Sequence, residues 1–208
     1  MSEPAGYAPG AALFAAYPEL WGRWPCLDLV NSLMSDHKGS DQVFDLLPLR
    51  GWQDAFTKLW RFELDDPDEL APVPAMLKVR RIMRATLEGW GGGRAPEAED
   101  LRDLETILAL APLNRTLAKG ASGYTIELAP SARNWTWVLS EVIVSMVRLM
   151  SEGDPARLRK CANPACSWLY YDESQAHSRL WCTSRACGNM VKVRRFRARR
   201  KRVGPRVT

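Results

Sequence analysis

Four of the five cysteines fall in one short stretch, ordered Cys161-x4-Cys166-x15-Cys182-x4-Cys187. Thiolates hold Zn²⁺ tetrahedrally, and two cysteine pairs on two tight turns supply all four ligand positions. The fifteen residues between the pairs are enough for a short hairpin, and Asn163-Pro164 and Ser184 to Ala186 are turn formers inside the pairs. A segment this small has little core of its own, so a metal would supply much of its folding free energy. Free thiols or two disulfides are the alternatives. An odd cysteine count fits a reducing, cytoplasmic compartment, which disfavours disulfides. Four intervening residues is the wide end of the usual pair spacing. His177 lies in the same stretch and reads as a surface histidine rather than a ligand. Cys26 stands alone on an apolar helical face with no partner base, as a buried thiol does.

The charge distribution sets this end of the chain apart. The whole carries a formal +5, yet residues 174–208 hold 11 of the 29 Lys and Arg and none of the 24 Asp and Glu. An acidic body with a strongly basic end points to a polyanionic partner, nucleic acid first. After Cys187 the sequence predicts a helix capped by Asn189, with Met190, Val193 and Phe196 forming a stripe to dock on the cysteine segment. Arginines cover the remaining faces, and such a helix can follow phosphates or enter a major groove. The candidate nucleic-acid contacts are Arg185, Lys192, Arg194, Arg195, Arg197, Arg199 and Arg200. A basic tail that binds RNA or any polyanion without sequence preference is the competing reading.

Upstream, helical spacing dominates, and a mainly α fold with a small β element is expected. Apolar residues recur at helical intervals in 26–34, 52–62 (Phe56, Leu59, Trp60), 75–90, 96–110 (Leu101, Leu104, Leu108) and 135–150. Residues 1–20 read as a loose lead-in and 35–48 as a polar loop. Leu113–Lys119 reads as a further helical turn, and Gly123–Leu128 alternates as a strand does. The most apolar stretch, Trp135 to Met150, contains Glu141 and Arg148 and is too short to span a bilayer. The N-terminus lacks the basic region of a signal peptide. Two units are expected: a helical domain over 1–153 that folds alone, and a zinc-binding unit with its basic helix over 154–208.

Lys160-Cys-Ala-Asn-Pro-Ala-Cys-Ser-Trp-Leu-Tyr-Tyr-Asp, then Ser178-Arg-Leu-Trp-Cys-Thr-Ser-Arg-Ala-Cys-Gly-Asn-Met, resembles a CGNR zinc finger. Leu27-Asp-Leu-Val-Asn-Ser-Leu33 and Leu113-Asn-Arg-Thr-Leu117 resemble landmarks of the ABATE domain that accompanies this finger. The resemblance implies a bacterial, stress-linked transcription regulator with a largely helical N-terminal domain. The fourth signature residue is Met190 instead of Arg. If that Arg touches phosphate in relatives, this chain lacks the interaction, and Lys192, Arg194 or Arg195 stand close enough to replace it.

Nine tryptophans raise the question of base stacking. Trp52, Trp60, Trp90, Trp135 and Trp137 fall in or at the ends of helical patterns and read as core, while Trp168 and Trp181 read as a roof over the metal. Asp28 and Asn31, one turn apart, are candidates for lining an effector pocket, with capping or buried hydrogen bonds as the alternative. The leading expectation is therefore a non-enzymatic, zinc-dependent DNA-binding regulator that uses its N-terminal domain for sensing or homodimerisation. An enzyme acting on a small molecule near Asp28, with a purely structural finger, is the runner-up.

Overall fold

The computed structural model describes residues 18–40, 42–120 and 123–203, with side chains described as far as residue 200. Helix α1, Pro25–Asn31, lies at the centre, and every residue from Cys26 to Asn31 is buried. Pro25 in its first turn loses no helical hydrogen bond, because that N–H has no partner within a helix. Around α1 are α2 (Arg50–Trp60), α3 (Val73–Gly91), α4 (Ala98–Ala109) and α5 (Trp135–Glu152). Helix α5 is capped by Asn134, whose Oδ1 accepts from Trp137 N–H at 3.0 Å. It packs directly on α1, where Cys26 N–H donates to Ser145 Oγ at 2.9 Å.

The helical reading of the body holds, with four corrections. The expected loop 35–48 contains the second strand of a small antiparallel pair, β1 (Leu33–Ser35) and β2 (Val43–Asp45). Asp45 fixes it to α3 through a bidentate pair with the buried Arg80, at 2.6 and 2.7 Å. Helix α2 buries Trp52, Gln53 and Phe56, while Leu59 is exposed and Arg61 ends the helix in the left-handed conformation, φ 55°. In α4 only Leu104 is buried.

The fourth correction is the largest. Leu113–Lys119 is not helical but lies in β3 (Leu113–Gly120), paired antiparallel with β4 (Gly123–Pro130). A spacing of four between Leu113 and Leu117 is one helical turn but also two strand repeats, so it places both leucines on one face in either structure. The β-forming partner 123–130 decides between them, by pairing Leu117 with Ile126 and Arg115 with Leu128.

A third two-stranded sheet joins β5 (Leu158–Lys160) to β6 (Leu169–Tyr171). Leu158, Trp168, Leu169, Tyr170 and the four clustered cysteines belong to the same continuous core as the body's helices. Asn31 on α1 pairs with the backbone of Leu169 as a strand would, accepting from its N–H at 2.9 Å and donating to its C=O at 2.8 Å. Ser167 is also held, by Ser35 N–H at 3.1 Å on its side-chain hydroxyl and by Arg84 on its carbonyl. Among the described residues, no helix is long and apolar enough to cross a membrane.

Candidate metal centre

Each cysteine pair sits on a turn that its own sequence dictates. In the first, Cys166 N–H donates to Asn163 C=O at 2.9 Å, and Cys161 N–H continues the β5–β6 ladder to Trp168 C=O at 2.9 Å. In the second, Thr183 Oγ1 accepts from Arg185 N–H, and Gly188 N–H reaches Thr183 C=O at 3.1 Å, closing a wide turn of the π type over Ser184–Gly188. Ala162 N–H to Leu180 C=O ties one half of the finger to the other.

The four sulfurs, all buried, lie within 4.8 Å of one another, with Cys166–Cys182 at 3.9 Å and Cys182–Cys187 at 3.5 Å. Zinc–sulfur bonds of about 2.3 Å put tetrahedral sulfurs about 3.8 Å apart. The donor set therefore fits one structural Zn²⁺. Two N–H groups already point at the sulfurs: Cys182 N–H to Cys161 Sγ and Asn163 Nδ2 to Cys187 Sγ, both at 3.4 Å. Hydrogen bonds from the neighbouring thiols, Cys166 first, pull the Cys161 thiol far below its usual range, and bonding to Cys161 drives Cys166 and Cys182 far above theirs. Four crowded thiols cannot all be anionic without a cation among them, and zinc removes that conflict.

His177 is exposed and stands beside Arg157, outside the sulfur cluster. Cys26 is a fully buried thiol whose burial pushes its pKa up to about 12. Trp168 is buried and meets Trp21 edge-on at 4.8 Å. Trp181 stands against Gly188, where an added Cβ would lie 3.1 Å from the indole.

Three residues that sequence patterning did not single out for the centre hold it together. Asn163, fully buried, donates to His37 C=O at 3.0 Å as well as to Cys187 Sγ, and its Oδ1 accepts from Arg194. Arg179 lies over the Tyr170 ring at 4.5 Å and donates to the carbonyls of Trp181 and Cys182. Asp172 is buried, yet hydrogen bonds from Ser174 and Arg179 N–H hold its carboxyl below the usual range. A buried polar residue inside a metal knuckle was the available signal for Asn163; the other two depend on partners that folding brings together.

From the second knuckle helix α6, Asn189–Val203, leaves the centre. Asn189 is not its cap. It is already helical, and its Nδ2 donates back to Arg185 C=O at 3.1 Å. The helix grows out of the wide turn, whose extra residue per turn rotates everything after it. Val191 and the half-buried Arg194 therefore face the body, and Val193 and Phe196 point to solvent, contrary to the predicted docking stripe. Arg194 is committed to structure: it bonds Asn163 Oδ1 at 3.2 Å and Lys38 C=O at 2.5 Å. Gly39, at φ 86°, leaves the room, since a Cβ there would sit 2.7 Å from the guanidinium. Arg185, Lys192, Arg195, Arg197, Arg199 and Arg200 are exposed. Among the described residues, no ion pair involves any of them.

The proposed effector pocket does not open around Asp28 and Asn31. Asp28 accepts from Gly22 N–H and Trp60 Nε1, both at 2.9 Å, and Asn31 is used up on Leu169. The cavity beside them measures about 20 Å³, room for a single water.

A buried four-cysteine centre that aims a basic helix, set into a helical domain, defines a zinc-binding protein of the CGNR type. The CGNR zinc-finger model matches residues 157–200, and the ABATE model, described as a putative stress-induced transcription regulator, matches residues 24–153. The chain belongs to the ABATE family and carries a CGNR zinc finger at its C-terminal end. No curated protein matches it.

Proposed function

We propose that this chain is a cytoplasmic, non-enzymatic regulator that binds DNA through α6, with zinc fixing the direction in which that helix leaves the body. One observation carries the reading: a helix continuous with the metal centre presents five exposed cations between residues 192 and 200, none neutralised by a carboxylate among the described residues. Positive charge held on a rigid helix is suited to a phosphate backbone, and unpaired guanidinia can also read guanine edges. Family membership supports a regulatory role. The buried Asp28, with space beside it for no more than a water, gives little support to small-molecule catalysis there.

Selection of bound duplexes from a random DNA pool by the zinc-loaded full chain tests this. A preferred sequence that survives excess RNA competitor, and is not recovered with Cys161→Ser, is the expected result. Enrichment of no sequence, with RNA competing equally, would replace a sequence-specific regulator with a general polyanion binder.

A further inference from the structure

We propose that the β3–β4 ribbon is a dimerisation element through which two copies of this chain meet, apolar face to apolar face. Residues paired directly across an antiparallel ladder share a face. One face of the ribbon therefore carries Leu113, Leu117, Tyr124, Ile126, Leu128 and Pro130 with the long side chains of Arg115 and Lys119 among them, and the other Asn114, Thr116, Ala118, Thr125, Glu127 and Ala129. The first five of these apolar side chains are 49, 79, 81, 63 and 63% exposed in that order, so no part of the body covers them.

An isolated two-stranded ribbon is marginal in water and gains stability when one face is covered. At up to about 200 Å² for each large side chain, these five leave roughly 600 Å² of apolar surface in water, the top of what single chains usually tolerate. That is about three quarters of what one side of a standard protein interface buries.

A second copy fits this face because the pattern is self-complementary. Consider a two-fold axis across the strands, midway between the Arg115–Leu128 and Leu117–Ile126 pairs. It sets Leu128 on Ile126 of the second copy and Tyr124 on its Pro130. The stems of Arg115 and Lys119 lie on the second copy's Leu117 and Leu113, and no cation faces another. The same axis sends the two bodies away from opposite ends of the sandwich. A copy-to-copy interface of this kind is closed and isologous.

Sedimentation of the zinc-loaded full chain at micromolar concentration tests the proposal without DNA, so its outcome is separate from the regulatory reading. The wild type should sediment at twice the chain mass, and Leu117→Asp and Ile126→Asp at the chain mass with unchanged thermal unfolding of the body. Thr125→Asp, on the opposite face of the same strand, should remain dimeric. Should the aspartate variants fail to fold, Ile126→Thr keeps the β-branched shape and should weaken the dimer about tenfold. A monomeric wild type, or a dimer indifferent to Ile126→Asp and Ile126→Thr, overturns the proposal. So does equal dissociation by Thr125→Asp.

Discussion

Asn163 touches four groups that must stay in register: a zinc-ligand sulfur, the carbonyl of His37, the backbone of its own knuckle and the guanidinium that orients α6. Hydrogen bonds to metal ligands fix their orientation and typically account for tenfold or more in metal affinity. Asn163→Ala should therefore surrender zinc to a chelator at about one tenth of the competitor concentration the wild type needs, and unchanged retention would reduce the residue to a turn former. Asp28 makes a different prediction. Burial lifts its carboxyl to about 7, against the opposing hydrogen bonds from Gly22 and Trp60. Unfolded, it titrates near 4, so between these values the folded state holds a proton that the unfolded chain has released. Its contribution to stability must fall as pH rises from about 4 to 7, and level off above. Asp28→Asn cannot titrate and should lose that slope, gaining ~2 kcal/mol on the wild type between pH 5 and 7.5. Urea unfolding at several pH values checks this, and parallel stability curves would contradict it.

Among the elements, α6 shows where sequence patterning succeeded and where it slipped. A helix with dense positive charge was legible from composition and spacing; the face it buries was not. The phase is set upstream, by the π-type turn that brings Cys187 into the cluster, and no apolar period inside the helix encodes that rotation. Arg194 slipped for the same reason, because its acceptors, Asn163 and Lys38, are distant in sequence and meet it only after folding. The β3 error had a different origin, a spacing common to helix and strand. Met190, half-buried at the start of α6, stands where the family signature has Arg. With Arg194 committed to Asn163, a phosphate interaction at that point has to come from elsewhere. Met190→Arg should raise DNA affinity and make the log–log salt slope steeper by about one unit. If neither moves in an anisotropy titration, the signature Arg is a packing residue.

At the scale of the whole molecule, the two family segments are joined by more than the chain. The cysteine spacing made the zinc site legible because a tetrahedral metal imposes its geometry locally. The seat of the finger against the body was illegible, because it depends on single polar side chains such as Asn31, Arg84 and Ser167 meeting backbone groups far along the chain. An independently stable 1–153 unit was the natural expectation; the shared core argues for coupling instead. Chelation should lower the thermal midpoint of the entire chain in one transition, and a body that melts at its original temperature after the finger unfolds would contradict that coupling. DNA binding driven by zinc-aligned cations on α6 must weaken as salt rises. If about five cations reach phosphates, log affinity should fall against log salt with a slope of about −4 to −5. Neutralising Arg199 and Arg200 should flatten the slope by about one unit for each phosphate no longer neutralised. A slope near zero, or one unchanged in that double variant, would mean that the charge on α6 does not drive DNA binding.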